Sequence, residues 1–281
     1  MDLGQTVRDA LKRWTFSLAP DAEARFHSLT TASNEYGVDP FGLDVNFALS
    51  AVAPFVWMYK HYFRVSVLGI ENVPEGRVLL ISNHSGQLPF DGAMIGIAMM
   101  VEAAPPRIIR AMVDHWVPSL PFVSTFMARC GQVVGTPENC RRLLAADESI
   151  LVFPEGMKGI LKPYRQRYQL EAFGQGFMRL ALDTDTPIVP IAVVGAEEQA
   201  PAIADIKSLG KLLNLPTIPI TPTLLPIPLP VKYHIAFGEP MRFTGRTDDD
   251  EDELDRKVRQ VRSTVQTMLQ QGVAERKHVF W

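Results

Sequence analysis

Short apolar runs typical of buried strands alternate along this chain with longer segments of helical periodicity. The runs with the length and β-branched content of strands are residues 78–82, 108–113, 150–153, 188–194 and 233–237. The helical patterns between them cover residues 91–102, 139–146 and 173–183. Strands that alternate with helices build a sheet covered by helices on its faces. The sequence therefore predicts an α/β fold with a mixed, mostly parallel central sheet.

The chain divides into two regions by its patterns. Residues 1–65 carry mainly helical patterns and are predicted to form a helical N-terminal segment. Residues 66–281 are predicted to form one α/β domain that ends in a helix. That last helix is indicated by a run of acidic residues, which suits the start of a helix, followed by apolar residues at helical spacing. The apolar positions are Leu254, Val258, Val261, Val265 and Leu269.

Composition excludes several classes of protein. Hydrophobic residues make up 47% of the chain and charged residues 21%, which excludes disordered and collagen-like chains. Cys130 and Cys140 lack the paired spacing of metal ligands, so no metal site is expected and a reducing compartment is favoured. The first residues show no basic stretch followed by an apolar run, so a cytoplasmic protein is expected. A net charge of -3 and the lack of a known motif argue against nucleic-acid binding.

Two apolar segments bear on membrane contact. Residues 45–59 are interrupted by polar residues and proline and are shorter than the roughly 20 residues of a spanning helix. Aromatic and cationic residues flank them, so they either lie in the plane of a membrane interface or pack as an ordinary buried helix. The proline-rich residues 216–230 either dip into lipid or cover the core. We therefore expect peripheral association with the inner face of a membrane.

Polar residues follow three of the predicted strands. His84 comes after the first strand, and Asp91 lies in the first turn of the helix that Pro89 opens. An imidazole held by a carboxylate is the His-Asp half of a catalytic triad, although such a pair alone is more often structural. Residues 153–156 and 194–198 follow two further strands. Because the carboxyl ends of parallel strands meet at one edge, all three loops are predicted to converge on one cleft.

Three ordered motifs carry a resemblance to a known family. They are Asn83-His84 followed by Asp91, then Phe153-Pro154-Glu155-Gly156, then residues 187–192. Over about residues 60–245 the chain resembles the glycerolipid and lysophospholipid acyltransferase superfamily, and it is most similar to the monoacylglycerol and diacylglycerol acyltransferase-like branch.

The resemblance implies an enzyme of phospholipid and glycerolipid biosynthesis. It would move a fatty acyl group from an acyl thioester, on coenzyme A or acyl carrier protein, to a hydroxyl of a lipid-like acceptor. No cofactor is implied, because the thioester is the donor substrate. His84 would be the general base and Asp91 its partner.

The chain departs from the family pattern at two places. Six residues separate His84 from Asp91, where the usual motif has four, so this loop must bulge. If the bulge carries Asp91 away, Asp114 beside His115 is the substitute candidate. Residues 131–136 also lack the Arg that relatives acting on phosphorylated acceptors carry there. An acceptor without a phosphate monoester is therefore expected.

The remaining predicted substrate-binding residues lie in the second motif, Phe153 and Pro154 included, and in the segment that follows it. Glu155 would position the acceptor, and backbone amides near Gly156 would stabilise the oxyanion. Residues 157–167 contain four cations and no acid, which indicates a site for donor phosphates or anionic headgroups, or else a solvated basic loop. The cations are Lys158, Lys162, Arg165 and Arg167.

Two other functions use the same residues. A lipid hydrolase or thioesterase would use Ser85 or water with His84, but the chain lacks a Gly-x-Ser-x-Gly elbow. A non-catalytic lipid-binding protein would not need His84, Asp91 and Glu155. Acyl transfer is therefore the favoured interpretation.

Overall fold

The computed structural model describes residues 3–18, 29, 34–84, 89–201, 204–206, 218–220, 227–247 and 250–281. Within these residues, seven strands form one sheet. They are β1 Ser66–Leu68, β2 Val78–Ser82, β3 Ile109–Val113, β4 Val133–Val134, β5 Ser149–Val152, β6 Ile188–Val194 and β9 His234–Phe237. Their order across the sheet is β1-β9-β6-β2-β5-β3-β4. Neighbouring strands in this sheet run parallel, except that β6 and β9 are antiparallel. The predicted mixed, mostly parallel α/β fold is confirmed.

Helices connect and cover these strands. The α-helices are α1 Leu3–Leu18, α2 Val45–Ala51, α3 Ala53–Trp57, α4 Phe90–Val101, α5 Val123–Arg129, α6 Pro137–Ala145, α7 Met157–Ile160, α8 Gly176–Thr184, α9 Ala196–Gln199 and α10 Glu251–Glu275. A π-helix at Met58–Tyr62 continues α3, and 3-10 turns lie at Ile70–Asn72, Val117–Ser119 and Tyr164–Gln166. The predicted C-terminal helix is α10, and the apolar positions that indicated it are buried.

Alternating residues of the central strands supply the cores on both faces of the sheet. On β2, Val78 and Leu80 belong to one apolar cluster, whereas Leu79 and Ile81 belong to the other. Successive side chains of a strand point to opposite faces, so a strand buried on both faces is apolar throughout. Helix α4 packs in the first cluster, and α6, α8 and α10 pack in the second. The loops after β2, β5 and β6 therefore remain at one edge of a sheet that helices cover on both sides.

The N-terminal helices pack against the domain that follows. Val56 and Phe63 are fully buried in the same cluster as α4, and Tyr59 is nearly so. Trp57, on the same segment, is 40% exposed. Residues 45–59 thus have a face that packs on the core and an aromatic side chain that reaches solvent. In the part of the chain described, no helix combines the length and apolar character that crossing a membrane requires.

Two short strands of the sheet, β1 and β4, were not predicted. They contain three and two residues and lie at the two ends of the strand order. Runs this short show no periodicity, so only pairing with β9 and β3 defines them.

The proline-rich residues 216–230 are described only in part. Residues 218–220 form β8, which pairs antiparallel with β7 Ala204–Ile206, apart from the main sheet. Residues 216, 217 and 221–226 lie outside the described residues. The two predicted alternatives for this segment, contact with lipid and cover of the core, stay predictions.

Candidate active site

Asn83 anchors the loop that carries His84. Its side-chain amide donates to the Val193 carbonyl (3.1 Å) and its amide oxygen accepts from the Val193 N–H (2.8 Å). Asn83 is fully buried, so these bonds replace water as its partners. The end of β2 is therefore tied to β6 immediately before His84. The sequence motif contained Asn83, but no local pattern indicated this role.

His84 and Asp91 form a close pair at the carboxyl edge of the sheet. His84 Nδ1 lies 2.7 Å from Asp91 Oδ2, and Asp91 is fully buried in the first turn of α4. The other carboxylate oxygen of Asp91 accepts from the Gly92 N–H (2.8 Å). The His84 ring stacks on Phe153 with centroids 4.1 Å apart and planes 19° apart. The imidazole is thus oriented by a carboxylate on one side and by an aromatic ring on another.

The long spacing between His84 and Asp91 does not separate the two side chains. Residues 85–88 of the connecting loop, Ser85 included, lie outside the described residues. The substitute candidate Asp114 contacts His115 (Oδ1 to Nδ1, 2.5 Å), whose side chain is 90% exposed. The carboxylate at His84 is therefore that of Asp91.

Glu155 joins the second motif to the first. Its Oε1 accepts from the backbone N–H of His84 (3.0 Å), and its Oε2 accepts from the backbone N–H of Glu171 (2.8 Å). Glu155 is only 4% exposed. A Cβ on Gly159 would lie 2.9 Å from both the His84 carbonyl oxygen and the Glu155 Cβ, so α7 packs this closely only with glycine there. Glu155 thus fixes the backbone of the residue that carries the imidazole.

The other residues of the second motif line the turn after β5. Phe153 and Pro154 are partly buried, and Gly156 is exposed with a φ of +56°. The Gly156 N–H donates to the Phe153 carbonyl (3.0 Å), so this amide is engaged within the turn. The predicted role of amides near Gly156 at the oxyanion stays a prediction.

The four cations predicted as one group occupy different environments. Lys158, Arg165 and Arg167 are exposed. Lys162 is buried, and its ammonium lies 3.2 Å from carboxylate oxygens of both Glu155 and Glu197. Lys158 and Arg165 are therefore exposed to solvent, Arg167 also lies 3.8 Å from Glu198, and Lys162 is enclosed by protein groups.

Residues 195–198 bring buried charge to the same edge of the sheet. Glu197 Oε2 accepts from the Tyr168 N–H (3.0 Å), and burial raises the pKa of the Glu197 carboxyl to about 7, although Lys162 acts to lower it. Glu198 forms a two-point ion pair with Arg276, with Nη2 to Oε1 at 2.8 Å. Two acids directly after a buried strand, Glu197 and Glu198, could have indicated this cluster from the sequence. No sequence pattern indicated that Arg276, at the end of α10, belongs to it.

In the described residues, no group of three or more His, Cys, Asp and Glu side chains is placed to hold a metal ion. The loops after β2, β5 and β6 meet as predicted, through the His84–Glu155 hydrogen bond and the Lys162 contacts.

Several known proteins are similar to this chain in sequence. A family model described as Acyltransferase matches residues 64–194. An uncharacterized protein of Mycobacterium leprae is 40% identical over 262 residues, which cover 89% of this chain and 71% of that protein. The DGAT1/2-independent enzyme synthesizing storage lipids of Gallus gallus is 26% identical over 175 residues, 62% of this chain and 51% of that protein.

A solved structure shares the fold. The crystal structure of the 1-acyl-sn-glycerophosphate (LPA) acyltransferase PlsC from Thermotoga maritima superposes with a TM-score of 0.54 at 15% identity, over 98% of this chain and 99% of that one. The resemblance that the motifs predicted is confirmed by the family match to residues 64–194 and by this fold. The first two motifs follow β2 and β5, and the third overlaps β6. Residues 64–194, which contain all three motifs, therefore belong to the Acyltransferase family.

Proposed function

We propose that this protein transfers a fatty acyl group from an acyl thioester to a hydroxyl of a glycerolipid or another lipid-like acceptor. The donor is a fatty acyl thioester of coenzyme A or of acyl carrier protein, and no further cofactor is needed. The observation that carries the proposal is the 2.7 Å contact between His84 Nδ1 and the buried Asp91 Oδ2. It leaves the second imidazole nitrogen, Nε2, as the base.

The proton transfer follows from this arrangement. Asp91 accepts a hydrogen bond from the Nδ1–H group, which fixes the tautomer in which Nε2 has a free lone pair. Nε2 removes the proton of the acceptor hydroxyl while the hydroxyl oxygen attacks the thioester carbonyl. The new C–O bond forms, the C–S bond breaks, and the imidazolium returns its proton to the leaving thiolate. The products are an ester and a free thiol, without an acyl-enzyme.

The surroundings of His84 support the binding of both substrates. The exposed cations Lys158, Arg165 and Arg167 would hold phosphates of the donor or anionic headgroups. An amide of the turn after Gly156 would stabilise the oxyanion of the tetrahedral intermediate. Glu155 would act on the acceptor through the His84 loop, because its two oxygens already accept backbone N–H groups.

Purified protein tests the proposal directly. It is incubated with acyl-CoA or acyl carrier protein thioester and a panel of hydroxyl lipids, and ester product is measured beside free fatty acid. We expect ester formation that depends on the acceptor. Thioester hydrolysis at the same rate with and without acceptor would instead identify a thioesterase.

The same panel tests the acceptor class. We expect neutral hydroxyl lipids to be preferred over lysophosphatidic acid, because Gly135 and Thr136 occupy the region where phosphate-reading relatives carry an Arg. A clear preference for lysophosphatidic acid would contradict this and direct attention to Lys158, Arg165 and Arg167 as the phosphate ligands.

We also propose peripheral attachment to the inner face of a membrane, where a lipid acceptor is found. The support is the segment of residues 45–59, with Trp57 40% exposed, and the 89% exposed Phe122. Cell fractionation should find the protein in the membrane pellet, and high salt or carbonate should release it. Retention in the pellet after both washes, with release only by detergent, would contradict a peripheral mode.

A further inference from the structure

Lys162 is a buried cation that the mechanism above does not use. Its side chain is 3% exposed and lies between the carboxylates of Glu155 and Glu197, which are 0% and 7% exposed. We propose that Lys162 is a positioning residue, whose ammonium holds the Glu155 carboxylate in place by direct contact and thereby holds the backbone of His84 in place. This inference rests on the proposed acyl transfer and assigns a further residue to it.

The contacts of Lys162 are all with protein groups. Nζ donates to the Gln169 carbonyl (3.0 Å) and to Glu197 Oε1 (3.2 Å), and it lies 3.2 Å from Glu155 Oε2 in an ion pair. With its side chain 3% exposed, the ammonium is enclosed by these groups rather than presented to a phosphate of the substrate.

The charges around Glu155 show why the cation is needed. Glu155 and Glu197 are both buried, and burial together with the Glu155 charge raises the pKa of the Glu197 carboxyl. Lys162 is the cation in contact with both carboxylates. Loss of this shared cation leaves two buried carboxylates facing each other without a counter-charge, so Glu155 is no longer held in its present position.

The other charged groups at this site are already engaged with different partners. Glu198, the neighbour of Glu197, pairs with Arg276 and lies 3.8 Å from Arg167 Nε. The His84 imidazole faces Asp91. The Tyr168 N–H donates to Glu197, and the Tyr168 hydroxyl oxygen accepts from the Gly195 N–H. None of these described groups contacts Glu155 as a cation, so Lys162 is not replaced by a neighbour.

The placement of the Glu155 carboxylate determines the position of the base. Its oxygens accept from the N–H groups of His84 and Glu171 at 3.0 and 2.8 Å. A hydrogen bond to a charged acceptor is about twice as strong as a neutral one. Displacement of the Glu155 carboxylate therefore loosens the His84 backbone, and a misplacement of about 1 Å can lower a rate by about 10²-fold.

Lys162→Met removes the charge at similar volume. At about pH 7 we expect kcat to fall by about 10- to 100-fold, with the KM for the acyl thioester changed by less than about threefold. Lys162→Arg should recover most of the activity, since it restores the cation.

Lys257→Met is the matched control. Lys257 is also a buried lysine, with a side chain 5% exposed, but its ammonium pairs with Glu253 (3.5 Å) on its own helix α10. This variant should keep the wild-type kcat. The comparison separates loss of a buried lysine in general from loss of the cation at Glu155.

Two results would overturn the inference while the wild type remains active. One is a folded Lys162→Met variant with unchanged kcat and raised KM for the donor, which would make Lys162 a substrate ligand. The other is a folded Lys162→Arg variant that recovers none of the activity lost in Lys162→Met. If Lys162→Met does not fold, Lys162→Gln, which also removes the charge, is judged by the same criteria. A wild-type protein that transfers no acyl group would refute the proposed function itself.

Discussion

Replacing His84 with Ala is expected to lower the turnover of acyl transfer by about 10²–10⁴-fold, equivalent to about 3–5 kcal/mol of barrier. The imidazole transfers the proton only in the transition state, so kcat should fall more than acceptor affinity. Circular dichroism and thermal melting must first match the wild type, because a folding defect would mimic the loss. A well-folded variant that keeps more than about a tenth of the activity would remove the basis of the mechanism.

Asp91→Asn belongs to the same experiment and should cost less than His84→Ala. Asp91 orients the imidazole through a 2.7 Å contact but does not itself carry the transferred proton. Asp114→Asn is the control, since Asp114 pairs with the exposed His115. We expect a measurable fall in kcat for Asp91→Asn and none for Asp114→Asn. The reverse order would mean that Asp114 orients the base.

Arg276→Met should lower the free energy of unfolding by about 3–5 kcal/mol. Arg276 and Glu198 have side chains that are 8% and 4% exposed, and the variant leaves the Glu198 carboxylate buried without its main partner. Arg167 Nε lies 3.8 Å from the same carboxylate and would compensate only in part. Urea denaturation of both proteins gives the difference.

A double variant checks the physical cause of that loss. Arg276→Met/Glu198→Gln has no buried charge left without a partner, so it should be more stable than Arg276→Met alone. If Arg276→Met costs less than about 1 kcal/mol, the ion pair behaves as an exposed one, and the assigned burial is wrong.

Much of the fold followed from local pattern. The predicted strand at 78–82 coincides with β2 and the one at 188–194 with β6, since strands buried on both faces read as continuous apolar runs. Edge strands β1 and β4 were missed because they are too short to show a period. The antiparallel direction of β9 beside β6 also has no local signature, as the same alternation suits either direction.

The sequence by itself determined which residues stand at the ends of neighbouring strands, and hence that His84, Glu155 and Glu197 approach one another. Three relations were decided only by the tertiary structure. Asp91 reaches His84 across a long loop, Lys162 is buried between two acids, and Arg276 pairs with Glu198, 78 positions away. The physical reason is that periodicity reports which face of an element is buried. Whether a given cation contacts water or a carboxylate depends on how segments that are distant in sequence pack together, and no local sequence pattern shows that packing.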